Sequence, residues 1–139
     1  MGFKKYLPLL GRALLAAIFL NSGVRHIFGF AGTTKMMTEK GLPVAPLLLG
    51  GSIFCLLVGG LSILFGFKAR WGAILLIVFL IPASLVFHNP VADPSELNSF
   101  LKNIGLIGGM LFIYYFGSGP VSIDARESSQ TQAYVSQSE

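Results

Sequence analysis

Four long stretches of the 139-residue chain are almost wholly apolar, and short polar connections separate them. They cover residues 7–24, 44–67, 71–87 and 100–116. Each is close to the roughly 17–25 residues that cross a bilayer as a helix. Because residues 65–72 leave almost no loop between the second and third stretches, these two helices are predicted to be antiparallel neighbours. The pattern predicts an all-α fold, an integral membrane antiparallel four-helix bundle.

The longest connection, residues 25–43, carries a helical signal of its own. Met36 and Met37 lie between Thr33, a predicted N-cap, and Gly41, a predicted stop. We therefore expect a short amphipathic helix between spans one and two. Such helices usually anchor a protein at the membrane interface.

Composition also indicates a chain that is solvated by lipid. Hydrophobic residues make up 53% of it and charged residues 12%, with a mean hydropathy of +0.72. Soluble domains carry about 25% charged residues. The net charge of +4 does not form a basic patch with interleaved aromatic residues, so a nucleic-acid partner is excluded. The lipid bilayer is the partner that composition predicts.

The basic residues predict a topology. Six lie on the side of the two termini and four on the opposite side, namely Lys4, Lys5, Arg12, Lys68, Arg70 and Arg126 against Arg25, Lys35, Lys40 and Lys102. The positive-inside rule then places the N and C termini in the cytoplasm. The transmembrane domain is expected to cover residues 1–125. The polar tail, residues 126–139, is rich in Ser and Gln and is expected to be disordered.

Small residues recur at helical spacing in two spans. Gly51, Cys55 and Gly59 follow one another every fourth position in span two, and Gly105 and Gly109 form a G-x-x-x-G pair in span four. Such residues let helix backbones approach closely in lipid. The pattern predicts helix packing at all five positions, either within one bundle or between copies. Cys55 is the single cysteine, so it forms no disulfide within the chain.

Polar residues concentrate in "FHNPVADPSELNSFLKN", residues 87–103. In a four-span bundle the ends of spans one and three and the starts of spans two and four share one membrane face. Side chains four positions apart also share one side of a helix. The predicted ligand-binding residues on this face are Asn21, Arg25, His88, Asn89, Asn98 and Lys102.

Two explanations of this polar face stay open. It can be a hydrogen-bonded plug that holds the outer loops, because buried polar groups need partners. It can also be a pocket for a quinone or a lipid headgroup, with donors for carbonyl oxygens and a group that exchanges protons near neutral pH. His26 and His88 as haem or metal ligands are the weaker alternative, since both lie at helix ends without a third ligand. Neither a catalytic residue nor a metal site is predicted.

The order and spacing of several segments resemble the DoxX family of small four-span membrane proteins. These segments are "LLGRALLAAIFLNSGVRHIFGFAGT", "KGLP", "LLVGGLSILFGFKARWGAILL", "FHNP", "FLKNIGLIGGML" and "GSGPVSID". By position, Arg25, His88, Asn89 and the segment Phe100–Asn103 match the family pattern, whereas Pro90 and Val91 stand where an aromatic residue is frequent. The resemblance implies the four-span fold and an association with membrane redox systems. Members include a small subunit associated with thiosulfate:quinone oxidoreductase or terminal quinol oxidase.

These observations lead to one expected function and one alternative. The first is a DoxX-type accessory subunit of a quinone-linked oxidoreductase, not catalytic alone, with a quinone as its ligand and no covalently bound cofactor. Its partners would be other subunits of a membrane redox complex or a second copy of the chain. Its place would be a prokaryotic inner (plasma) membrane or another energy-transducing membrane such as the thylakoid. The alternative is a scaffold or assembly subunit that docks a larger membrane complex.

Overall fold

The computed structural model describes residues 2–138 as helices joined by short connections. The helices are α1 (Leu7–Phe28), α2 (Phe30–Glu39), α3 (Ala45–Phe65), α4 (Ala69–Phe87), α5 (Leu97–Phe116) and α6 (Ile123–Ser138). Short 3-10 turns at Phe3–Tyr6 and Pro94–Glu96 lead into α1 and α5. The described part of the chain contains no strand, so the all-α prediction is confirmed.

Helices α1, α3, α4 and α5 are each long and apolar enough to cross a membrane. They confirm the four predicted spans. Helix α1 packs against α3, α3 against α4, and α4 against α5, whereas α1 and α5 are a more loosely packed pair. One apolar core runs through the bundle and includes Ala16, Phe19, Leu56, Leu76 and Met110.

Two helix pairs approach closely because glycine removes the side chain between them. A Cβ atom at Gly23 of α1 would lie 2.7 Å from Leu57 Cδ2 of α3. A Cβ atom at Gly59 of α3 would lie 2.7 Å from Leu76 Cγ of α4. Packing density in such interfaces leaves no room for an added methyl group without a shift of the neighbour. Gly59 therefore lies in a helix interface, as the small-residue pattern predicted.

The other predicted packing positions are less closely surrounded. A Cβ atom at Gly109 would reach ordinary contact with Leu15 Cδ1 of α1, at 3.4 Å, and Cys55 is half-buried. At Gly51 and Gly105 a Cβ atom would meet nothing within 4 Å. Both of these glycines are exposed on the outside of the bundle, so they make no packing contact within the chain.

Helix α2 is the predicted amphipathic helix, but its N-cap is not Thr33. The helix begins at Phe30, with only Gly29 between it and the end of α1, and Gly29 provides no side-chain cap. The Thr33 backbone N–H instead donates to the Gly29 carbonyl oxygen across 2.9 Å, so Thr33 lies within the first turns. Met37 is buried and anchors α2 against the start of α3.

The α3–α4 hairpin turns within a few residues, as the short connection predicted. Gly66 adopts a φ of +66° and Lys68 a φ of +48°. The left-handed conformation favours glycine. A Cβ atom at Gly66 would also collide with the Arg12 guanidinium and the Ser122 side chain, so glycine is needed there for two reasons.

At this end of the bundle Arg12 and Asp124 hold several elements together. Arg12 is only 3% exposed, and its guanidinium donates to the carbonyl oxygens of Ile63, at 3.1 Å, and Val121. The Asp124 carboxylate accepts hydrogen bonds from Lys68 N at 2.7 Å and from Ser118 Oγ at 2.6 Å. We call these residues the terminal-side network. In the sequence Arg12 reads only as a topology marker, and nothing in the pattern indicates this role.

The polar tail, residues 126–139, was expected to be disordered, and this stays a prediction. In the structure α6 runs from Ile123 to Ser138, and Glu139 lies outside the described residues. Ala, Arg, Glu and Gln favour helix even where nothing packs against it. All side chains from Arg126 to Ser138 are exposed, so composition indicated the missing packing but not the helix.

Candidate functional site

A cavity of about 270 Å³ lies at the end of the bundle opposite the termini, where α1 and α4 end and α3 and α5 begin. Its polar lining residues are Ser22, His26, Thr33, Ser52, His88, Lys102 and Asn103. Its apolar walls include Phe19, Leu49, Leu56, Phe79, Phe87 and Leu106. The chain therefore has one face at which polar groups from separate helices meet, as the four-span geometry predicted.

Helix periodicity explains which side chains reach the cavity. On α1, Phe19 and Gly23 are buried, and Ser22 and His26 follow Phe19 by three and seven positions. On α5, Asn103 belongs to the buried side, with Leu106 and Met110. Residues at these spacings share one side of a helix.

Helix α2 covers the cavity from the membrane boundary. Thr33, Met36 and Met37 contribute to its lining, and Met37 packs with Ala45 and Leu49 at the start of α3. Methionine side chains adapt to irregular surfaces because they are unbranched and flexible. Helix α2 therefore forms one wall of the cavity besides connecting two spans.

Both histidines that line the cavity use Nδ1 for a contact within the chain. His26 Nδ1 lies 2.6 Å from the Ser22 carbonyl oxygen, and His88 Nδ1 lies 2.7 Å from Glu96 Oε2. A carbonyl oxygen and a carboxylate can only accept, so Nδ1 carries the hydrogen in both rings. Nε2 is then the ring nitrogen that remains for a ligand.

Asn103 is 7% exposed and is tied into the core between α4 and α5. Its Nδ2 donates to Ser84 Oγ across 3.0 Å, and Ser84 Oγ donates to the Leu80 carbonyl oxygen across 2.6 Å. This chain of bonds fixes the orientation of the amide, because Nδ2 must face Ser84. The Oδ1 atom and one N–H of Asn103 have no part in these bonds.

Two of the predicted ligand-binding residues, His88 and Lys102, line the cavity. Asn21, Arg25 and Asn98 are exposed and lie outside it. Asn89 also lies outside, and its Oδ1 accepts a hydrogen bond from Val91 N at 2.9 Å in the loop after α4.

On α1 the cavity is lined by the residues that directly follow the predicted ones. Ser22 and His26 lie one position after Asn21 and Arg25, and one position is a rotation of about 100° around a helix. Phe19 and Gly23 mark the side of α1 that faces the bundle, and His26 follows Gly23 by three positions on the same side. This spacing could have located His26. For Asn103 the signal is its spacing to Leu106 and Met110.

The loop between α4 and α5 holds its own shape. The side chain of Ser95, and then its backbone N–H, donate to Asp93 and lower the pKa of that carboxyl. This turn places Glu96 beside His88.

Within residues 2–138, no three His, Cys, Asp or Glu side chains are grouped so that they could hold a metal ion.

Comparison with known proteins agrees with the architecture. The DoxX family model matches residues 7–89. "Inner membrane protein YqjF" of Escherichia coli is 35% identical over 118 residues, which cover 84% of this chain and 88% of that protein. "Inner membrane protein YphA" of Escherichia coli is 27% identical over 126 residues, which cover 86% and 89%. No solved structure gives a significant match. With four apolar helices of spanning length and these relatives, the chain is an integral membrane protein that belongs to the DoxX family.

Proposed function

We propose that the cavity binds the ring headgroup of a lipid-phase quinone and that the chain serves as an accessory subunit of a membrane redox system. The observation that carries this proposal is the pair of histidines whose Nδ1 atoms are both engaged within the chain. Each offers Nε2 to a cavity that is otherwise lined mainly by aliphatic and aromatic side chains.

This arrangement suits a ligand whose oxygen atoms are carbonyl groups in the oxidised form and hydroxyl groups in the reduced form. A neutral imidazole accepts a hydrogen bond at Nε2, which matches the hydroxyl group of a reduced quinone. A protonated imidazole donates at Nε2, which matches the carbonyl group of the oxidised form. A bound quinone would supply electron and proton transfer, and the electrons would come from a partner enzyme. His26 and His88 would hold the proton at Nε2.

The charges favour a quinone over a phospholipid headgroup. Among the described lining residues, Lys102 is the single lysine or arginine. Arg25, which could have been a second phosphate partner, lies outside the cavity. Phosphate recognition usually relies on several cations or on backbone N–H groups. Here the neutral donors and acceptors outnumber the cations.

The location follows from the same proposal. The two relatives are named as inner membrane proteins, so a prokaryotic inner membrane is the expected site. If both termini are cytoplasmic, as the distribution of basic residues predicts, the cavity lies at the outer face of that membrane.

A binding experiment tests the proposal. The full chain in lipid nanodiscs is titrated with a short-chain benzoquinone, and affinity is compared among variants. His26→Ala and His88→Ala should each weaken binding about tenfold, since a lost hydrogen bond in a buried site costs about 1–3 kcal/mol. Asn21→Ala and Asn98→Ala are matched controls outside the cavity and should bind like the unaltered protein. Equal affinities for all five proteins would contradict the proposal.

A scaffold role is the second candidate function, and the outward-facing Gly51 favours it. A Cβ atom at this glycine would meet nothing within 4 Å, so a partner helix could approach there. Under this alternative Gly51→Leu would reduce the size of the native membrane complex and leave quinone binding unchanged. The converse result, lost binding in His88→Ala with an intact complex, would support the quinone site instead.

A further inference from the structure

Helices α1 and α5, the loosely packed pair, are in contact at the level of Gly109 and are separated at the level of Gly105. A Cβ atom at Gly109 of α5 would touch the Leu15 side chain of α1 at 3.4 Å. One turn nearer the cavity, a Cβ atom at Gly105 would meet nothing within 4 Å. Gly105 shares one side of α5 with Lys102 and Gly109, because these positions differ by three and four. The gap between the helices at the level of Gly105 is here called the α1–α5 opening.

The α1 side of this opening is formed by a residue that belongs to both the cavity and the outside. Ile18 lines the cavity and is also 42% exposed on the surface of the bundle. It follows Leu15 by three positions, so it lies one turn above the Leu15–Gly109 contact. The cavity is thus continuous with the lipid-facing surface beside Ile18.

The size of the cavity limits how much of a ligand it can enclose. Ligand pockets that enclose a drug-sized molecule measure about 300–1,000 Å³. At about 270 Å³ the cavity holds a ring headgroup and has no space for a long hydrocarbon chain as well. A chain attached to the headgroup must leave the cavity. Ile18 and Gly105 offer it an apolar exit into the bilayer, where burial of methylene groups is favourable.

We infer that the ligand is a headgroup with a hydrocarbon tail, which enters sideways from the bilayer and leaves its tail in the α1–α5 opening between Ile18 and Gly105. This inference rests on the proposed function, since it concerns the same cavity. It adds the route by which the ligand enters and the position of its tail, and it assigns a steric role to Gly105.

The test compares two probes, a benzoquinone that carries a decyl chain and the same benzoquinone without the chain. The full-length protein in nanodiscs is titrated with each. Gly105→Leu fills the opening without an overlap in the folded chain, because nothing lies near the added Cβ atom. Gly50→Leu is the matched control, since Gly50 of α3 is equally open and does not line the cavity. Ile18→Phe narrows the opening from the other side.

We expect Gly105→Leu and Ile18→Phe to weaken binding of the decyl probe about tenfold, the effect of about two lost methylene contacts. In Gly105→Leu, binding of the probe without a chain should change less than about twofold, and Gly50→Leu should affect neither probe. Ile18 also lines the cavity, so Ile18→Phe is compared for the decyl probe alone. Unchanged binding of the decyl probe in both variants, or an equal loss of both probes in Gly105→Leu, would overturn the inference. If the unaltered protein binds neither probe, the proposed function itself fails and the tail path fails with it.

Discussion

Asn103 of α5 donates a hydrogen bond from Nδ2 to Ser84 Oγ of α4 across 3.0 Å, and both residues are buried within membrane-spanning helices. The same asparagine lines the cavity. The bond therefore connects the packing of two spans to the shape of the candidate site. Polar side chains at this depth are retained where they have partners, because an unpaired polar group in lipid is costly.

Substitution of this pair should show a measurable coupling. Asn103→Leu and Ser84→Ala should each lower the free energy of unfolding, and the double variant should lose less than the sum. The expected coupling is about 0.6–1.7 kcal/mol, the range found for hydrogen bonds between membrane helices. Unfolding in lipid bicelles with increasing denaturing detergent provides the measurement. Thr38→Ala is the control, since Thr38 Oγ1 bonds only within α2, to the Thr34 carbonyl oxygen at 2.9 Å. Strict additivity would show that the two residues act independently.

Loss of the Arg12 guanidinium should destabilise the bundle strongly. Arg12→Met keeps the apolar stem but removes the donors to the Ile63 and Val121 carbonyl oxygens. Each buried carbonyl left without a partner costs about 1–3 kcal/mol. A large fall in the melting temperature in detergent, followed by circular dichroism, is the expected result. Arg126→Met, at an exposed position of α6, should melt like the unaltered protein, and a similar result for both variants would remove Arg12 from the stabilising groups.

Acid should weaken the terminal-side network. Burial raises the pKa of the Asp124 carboxyl, but hydrogen bonds from Ser118, Lys68 N and Ala69 N, with the attraction of Arg12, outweigh it and the net shift is downward from 3.8. The folded state thus favours the ionised form. The contribution to stability is fully present above the unfolded pKa of about 3.9 and is lost as the pH falls through the lower folded pKa.

The pH dependence can be measured as the melting temperature between pH 7 and pH 2. Above about pH 4 the Asp124 contribution should be constant, and below it the melting temperature should fall. Asp124→Asn should start lower at pH 7 and show a shallower fall in acid. An identical acid profile for the two proteins would mean that another carboxyl group controls the transition.

Alanine at two glycines of α3 should have different effects on the free energy of unfolding. Gly59→Ala forces a Cβ atom to within 2.7 Å of Leu76 Cγ and should cost about 1–3 kcal/mol through overpacking between α3 and α4. Gly51→Ala adds a methyl group in open space and should be neutral or slightly stabilising. The free energies of unfolding of the two variants make a matched comparison. Equal losses would indicate that helix packing does not distinguish the two positions.

The spans could be predicted from sequence because only long apolar segments cross a bilayer. The side of each helix that faces the interior of the bundle could not be predicted from sequence. Leu10 and Leu14 of α1 face outward and are as apolar as the buried Phe19, so hydropathy does not distinguish the two sides. Asn21 and Arg25 were chosen as polar residues four positions apart at the shared membrane face, whereas Ser22 and His26 line the cavity.

The terminal-side network was hidden for a different reason. Arg12 and Val121 are 109 positions apart, and no periodic pattern links them. Arg12 also follows the basic residues Lys4 and Lys5, so it resembled one more topology signal. Only the path of the chain after α5 brings the Val121 carbonyl oxygen to this side chain.

The Arg12 contacts also bear on how the protein is made. Its guanidinium needs the carbonyl oxygens of Ile63 and Val121, and the ribosome delivers the second of these only after all four spans have been synthesised. During biogenesis the first helix therefore holds an incompletely compensated cation until Val121 has been synthesised. Nascent chains shorter than about 120 residues would leave that charge for insertion factors or lipid phosphates to neutralise.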